Sequence, residues 1–188
     1  RDDGEVSLRE DTAPGPAMWG FYDLLFHART RRGTNVEQLG KTYPFRGRFE
    51  PLPALVSPSG AARVSLPRPD LARLMSDDPP FAAVVEARRS MRHHGAVPLS
   101  VDALGELLFR TLRVRGVSPK SAEKAYEVTD RPYPSAGACY PLEVYLAVDR
   151  CGGVEPGLVR YVPEEHALER RCGRSPGVDR LLKDAARA

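Results

Sequence analysis

The chain has 188 residues, 41% hydrophobic and 28% charged, with a net charge of +3. That length suits one domain with an extra arm, and the composition is globular rather than fibrous or disordered. No apolar run is long enough to span a membrane, and the basic residues are spread among nearly as many acids, which argues against nucleic acid as a partner.

Arg1 stands where a full reading frame would have Met, and no apolar signal segment follows, so a longer or processed parent is expected. Residues 1–16 read as a polar, frayed terminus. Trp19–Arg29 reads as a short helix with Trp19, Tyr22, Leu25 and Phe26 on one side. From Arg31 to Pro69 the chain is proline-rich and aperiodic, an extended arm with a short strand at Ala62–Leu66.

Composition shifts after Asp78. Asp78 suits a helix cap and Pro79–Pro80 a first turn, with Phe81, Val84 and Val85 following at helical spacing to Arg89. Ser100 suits the cap of a second helix carrying Val101, Leu104, Leu107, Leu108 and Leu112 as an apolar stripe. Gly116–Asp130 reads as a polar loop. Leu142, Val144, Leu146 and Val148 alternate like a half-buried strand, Gly152–Gly153 mark a turn, and Gly157–Val162 reads as a second strand. Ser175–Pro176 opens a last helix, Gly177–Ala186. The order helix, helix, strand, strand, helix predicts a mixed α+β domain with a thin core, completed by more chain or by association.

Two segments carry the chemistry. Arg131–Val148 holds the small residues Ser135, Ala136, Gly137 and Ala138 between Pro132, Pro134 and Pro141, then runs into a strand. A flat ligand could lie directly against such a main chain; an ordinary tight turn uses the same residues. Arg88-Arg89-Ser90-Met91-Arg92 places three guanidinium groups and a hydroxyl within about one turn. Arginine forks suit phosphate oxygens, and the same cluster suits a solvated helix end that complements the dipole. Tyr133 and Tyr140 flank the loop as packing residues or proton donors. Cys139 reads as a small packing residue. Neither the three cysteines nor the four histidines have metal-ligand or CxxC spacing, so no metal is expected, and a reducing, cytoplasmic compartment is.

Taken together, Arg88-Arg89-Ser90-Met91-Arg92, Pro98-Leu99-Ser100, Pro134–Ala138 and Pro141–Tyr145 resemble the SagB-type azoline dehydrogenases, a branch of the FMN-dependent nitroreductase superfamily. Leu25-Phe-His-Ala-Arg-Thr30 is similar to the family's FHxxT segment, Val64-Ser-Leu-Pro67 to its lead-in, and Pro156–Tyr161 with His166-Ala-Leu168 to its PGLYRYDPxxHxL hairpin. The resemblance covers Leu25–Leu182. It implies a nitroreductase-like α+β sandwich of helices around an antiparallel-rich sheet, with an N-terminal helix and proline-rich arm over 1–78 and the front part of an FMN domain over 79–188. It implies FMN held at its phosphate end by Arg88, Arg89, Ser90 and Arg92. It also places Pro134, Ser135, Ala136 and Gly137 beside the ring system, reaching across a homodimer. Glu143 matches a family position of unassigned role. The implied reaction is oxidation of peptide thiazolines or oxazolines to thiazoles or oxazoles during maturation of a ribosomal peptide, with a cyclodehydratase and a modified precursor peptide as partners. Family members continue beyond Ala188 with further flavin contacts and a Lys-Tyr pair, so the fold is expected to be truncated at its C-terminus and the catalytic base stays unidentified. Two other readings stay open: a general nitroreductase-like FMN or NAD(P)H oxidoreductase, and a flavin-free scaffold or peptide-binding subunit.

Overall fold

The computed structural model describes residues 18–31, 47–91, 95–121 and 126–187. The chain divides into two units, Arg1–Gly40 and Lys41–Ala188. In the first lies helix α1, Phe21–Thr30, with Thr30 Oγ1 donating to the Phe26 carbonyl at 2.8 Å. Trp19 and His27 pack obliquely at 5.9 Å between ring centroids, while Phe21, Tyr22 and Phe26 remain exposed.

The second unit is a mixed α+β fold. Its elements in chain order are β1 (Arg63–Ser65), α2 (Leu71–Asp77), α3 (Phe81–Ala87), β2 (Leu99–Ser100), α4 (Val101–Leu112), β3 (Gly116–Ser118), β4 (Val128–Asp130), β5 (Tyr145–Val148), β6 (Cys151–Gly152), β7 (Gly157–Val162), β8 (Ala167–Gly173) and α5 (Pro176–Ala185). The main sheet is antiparallel with strand order β1-β8-β7-β5. Two small ladders accompany it, β2 parallel to β6 and β3 antiparallel to β4.

The middle of the sheet is the β7–β8 hairpin. Val159 and Tyr161 on β7 and Leu168 on β8 join Leu104 and Leu108 of α4, with Leu66, Val148 and Val154, in the apolar core. Leu104 and Leu108 of the stripe expected on α4 cover the sheet, with Val101 and Leu112 packed against the core, whereas Leu107 is exposed; Ser100 caps the helix as expected, its Oγ accepting from the Ala103 N–H at 3.2 Å. Side chains alternate along β7, so Arg160 leaves the apolar side that Val159 and Tyr161 share. Gly157 is required where β7 begins: its φ is +147°, and a Cβ there would sit 2.3 Å from the Cys172 carbonyl oxygen.

Several expectations are corrected. Asp78 does not cap α3; Pro80 holds that place, and Asp70 caps α2, accepting from Ala72 and Arg73. Asp78 instead closes α2 and takes a two-pronged ion pair from Arg110 of α4, at 2.5 and 2.9 Å, which holds its carboxyl below the usual range. Gly116–Asp130 is not wholly loop, because β3 and β4 pair there across residues of which 122–125 lie outside the described set. The strand expected from Leu142 begins at Tyr145, while the Val144 carbonyl still accepts from the Tyr161 N–H at 2.9 Å. The core rests on a four-stranded sheet rather than on two strands.

Candidate functional site

The small-residue loop folds as one 3₁₀ turn, Ala136–Ala138, between exposed Pro134 and half-buried Tyr140. Three of its backbone positions are left-handed: Gly137 (φ 61°), Ala138 (φ 53°) and Tyr140 (φ 44°). Glycine adopts this conformation freely, but alanine and tyrosine do so against a steric penalty, so surrounding contacts must hold them there. Tyr140 is the anchor. Its N–H donates to Ser135 Oγ at 2.9 Å, and its ring meets Tyr133 edge-on at 5.1 Å. The guanidinium of Arg131 lies 5.6 Å from the centre of the same ring. Pro134, Ala136, Gly137 and Ala138 are left exposed, so the loop presents main chain with almost no side chain on it.

Arg88, Arg89 and Ser90 follow α3 directly, with Arg88 in the C-cap position and its N–H donating to the Val85 carbonyl at 3.3 Å. All three are exposed. Among the described residues their side chains make no hydrogen bond and no ion pair, so their donors are unspent. Arg92, His93 and His94 lie outside the described residues. Among the described residues no hydrogen bond joins the arginine segment to the small-residue loop. Around Arg88 and Arg89, Phe81 is 82% exposed, and Val84, Val85 and Met91 are exposed as well.

Sequence reasoning passed over a set of charged residues on the central hairpin and its surroundings. Arg160 and Glu169, buried cross-strand neighbours on β7 and β8, pair at 3.1 Å. Arg160 also reaches Glu143 Oε2 at 3.2 Å, which gives the unassigned Glu143 a partner. Glu169 further accepts from the Ser59 N–H at 2.6 Å and from Arg171 at 3.4 Å. Burial opposes its charge, but these donors outweigh that effect and hold its carboxyl below the usual range. Spacing offered no signal for this set, because its members come from four separate parts of the chain.

His166, in the turn between β7 and β8, is buried with φ 55°. Its Nε2 sits 3.0 Å from the Pro67 carbonyl and therefore carries the proton, leaving Nδ1 to accept from the Tyr161 hydroxyl at 2.8 Å. Burial pushes the Tyr161 hydroxyl up to about 12 and the His166 imidazole down. The pair lies in the fold interior.

The three cysteines are free, with Cys139 and Cys172 exposed. Among the described residues no group of three His, Cys, Asp or Glu side chains could hold a metal ion, and no helix is long and apolar enough to cross a membrane.

No family model matches the chain. Over about half its length the chain is similar to a nitroreductase-named protein. That relative, from Methanocaldococcus jannaschii and named as a candidate nitroreductase, is 36% identical over 106 residues. The match spans 54% of this chain and 44% of the relative, so the chain covers less than half of the protein it resembles. The similarity supports a nitroreductase relationship, in keeping with the antiparallel-rich α+β fold.

Proposed function

We propose that this chain supplies two parts of an FMN site in a nitroreductase-like oxidoreductase, and that the substrate is an azoline ring in a peptide. The observation that carries the flavin reading is the pair of exposed guanidinium groups at Arg88 and Arg89, without a partner among the described residues. The similarity to a nitroreductase-named relative supports it. Arg88, Arg89, Ser90 and Arg92 would hold the phosphate. A charge-assisted hydrogen bond of this kind contributes about 1.5–3 kcal/mol. Pro134, Ala136 and Gly137, which are exposed, and half-buried Ser135 would offer a flat rest for a ring system. Flavin, when bound, supplies a hydride acceptor, and the protein supplies binding, orientation and exclusion of water.

The azoline reading rests on the motif resemblance across Leu25–Leu182. Conversion of a thiazoline or oxazoline to its aromatic counterpart removes two hydrogens, one as a proton beside the carbonyl and one as a hydride from the neighbouring ring carbon. The working unit in this reading is a homodimer that receives its peptide after a cyclodehydratase has closed the ring. A second reading, a general nitroreductase-like NAD(P)H oxidoreductase, is favoured by the name of the relative.

The test incubates the protein with FMN and either a thiazoline peptide or a nitroaromatic with NAD(P)H. In a protein that carries this chain together with the rest of the flavin site, loss of two hydrogens from the peptide, seen by mass spectrometry, is the expected result. Turnover of the nitroaromatic with an unchanged peptide would favour the second reading. A protein that stays colourless after soaking in FMN would overturn both and leave the scaffold.

A further inference from the structure

Residues 54–59 of the proline-rich arm belong to the second unit and have an irregular conformation. Among the described residues five hydrogen bonds hold this segment, and each one ends on an ionised side chain. The Ala54 N–H donates to Glu127 Oε2 at 3.2 Å, and the Ala54 carbonyl accepts from Arg131 at 3.4 Å. Arg160 reaches the Val56 and Ser57 carbonyls at 3.3 and 3.5 Å, and Ser59 N–H meets Glu169 at 2.6 Å. A segment without a backbone ladder of its own is thus fixed by charges that flank β4 and by others on the central hairpin.

One of those charges has a second task. Arg131 is 6% exposed, and its Nε donates to Thr129 Oγ1 at 3.1 Å. The same guanidinium faces the ring of Tyr140, the anchor of the left-handed loop. Its position is set from below as well, since Arg115 donates to the Arg131 carbonyl at 2.8 Å. If the segment lifted away, a donor of this buried guanidinium would lose its acceptor at Ala54. A buried donor without a partner is costly, so the side chain would turn toward water and leave Tyr140 unsupported.

We propose that residues 54–59 are a strap that holds the Pro134–Tyr140 loop in its left-handed form, with Arg131 as the positioning residue that joins the two. Coupling of this kind is reciprocal: loosening the loop must loosen the strap to the same extent. The coupling itself stands on the geometry of the ligand-free chain. Its consequence for activity, that strap release withdraws the backbone rest from the ring system, rests on the flavin reading.

The experiment reads amide hydrogen exchange in the ligand-free full chain, residue by residue. In the loop the reporters are Ala138, Cys139 and Tyr140, whose N–H groups donate to Ser135 and Ala136. In the strap they are Ala54 and Ser59. Glu127→Gln touches only the strap; it is expected to speed exchange in both segments by about tenfold, the equivalent of one weakened hydrogen bond. Tyr140→Ala touches only the loop and is expected to speed exchange at Ala54 and Ser59 as well. Tyr140→Phe keeps the ring and is expected to leave both segments at the wild-type rate. Amides of the β7–β8 hairpin, unchanged throughout, show that the fold is intact. Faster exchange confined to the mutated segment, or no change in either, overturns the proposal. Failure to bind FMN while the coupled exchange persists would instead sink only the flavin reading.

Discussion

The β7–β8 hairpin and the stretch from α3 to Met91 are both rich in apolar residues and arginine, and they end in opposite surroundings. In the hairpin, Val159, Tyr161, Val162 and Leu168 are buried, and Arg160 is enclosed with Glu169 as its partner. In α3, Phe81, Val84 and Val85 face solvent, and the guanidiniums of Arg88 and Arg89 have no partner among the described residues. A helix of seven residues has little stability of its own, so such a face is ordinarily covered or used. The hairpin is where interactions are satisfied and stability resides. The α3 segment is where they are left open, and there a ligand has the most to gain.

The contrast can be broken by substitution. Arg160→Ala would leave Glu169 buried with its one buried cationic partner gone, and the expected cost is about 3–5 kcal/mol, read from the midpoint of urea unfolding. A loss under about 1 kcal/mol, the range of an exposed ion pair, would show that the pair is solvated. A smaller effect is expected from pH. The folded state keeps His166 neutral, with its imidazole pushed below the ordinary value of 6.5 by burial first and by Arg68 in addition. The unfolded chain then binds more protons on the acid side. Stability should be fully present above pH 6.5 and should fall as the pH drops below it. His166→Gln should flatten that slope, and an unchanged slope would assign it to another group. At the small end, Val85→Ala on exposed α3 should shift stability by no more than about 0.5 kcal/mol. A larger loss would mean that this face is already covered in solution.

Much of the fold was legible because it is written locally. Ser100 as a cap, Leu104 and Leu108 as core residues and the run Gly157–Val162 each declare themselves within a few residues, and each forms as read, while Leu107 of the same stripe is exposed. Strands β3 and β4 were missed because three residues cannot display an alternation. Asp78 was misread because its local context suits a cap, whereas its partner Arg110 is 32 residues away. The loop was legible as a sterically bare surface, and its left-handed alanine and tyrosine were not, since only tertiary contacts hold them. The strap lies in what the sequence shows only as an extended arm, because Glu127, Arg131, Arg160 and Glu169 share no spacing that would reveal them as its partners.

The most direct test of the open α3 segment as a phosphate site compares two ligands that differ only there. FMN carries the phosphate and riboflavin lacks it. Equilibrium titration by flavin fluorescence should show FMN binding at least about tenfold more tightly than riboflavin, a difference of roughly 1.4 kcal/mol. The double substitution Arg88→Ala and Arg89→Ala should remove that preference while leaving riboflavin binding unchanged. Equal affinity for FMN and riboflavin in the unaltered protein, or a preference that survives the double substitution, would contradict the account.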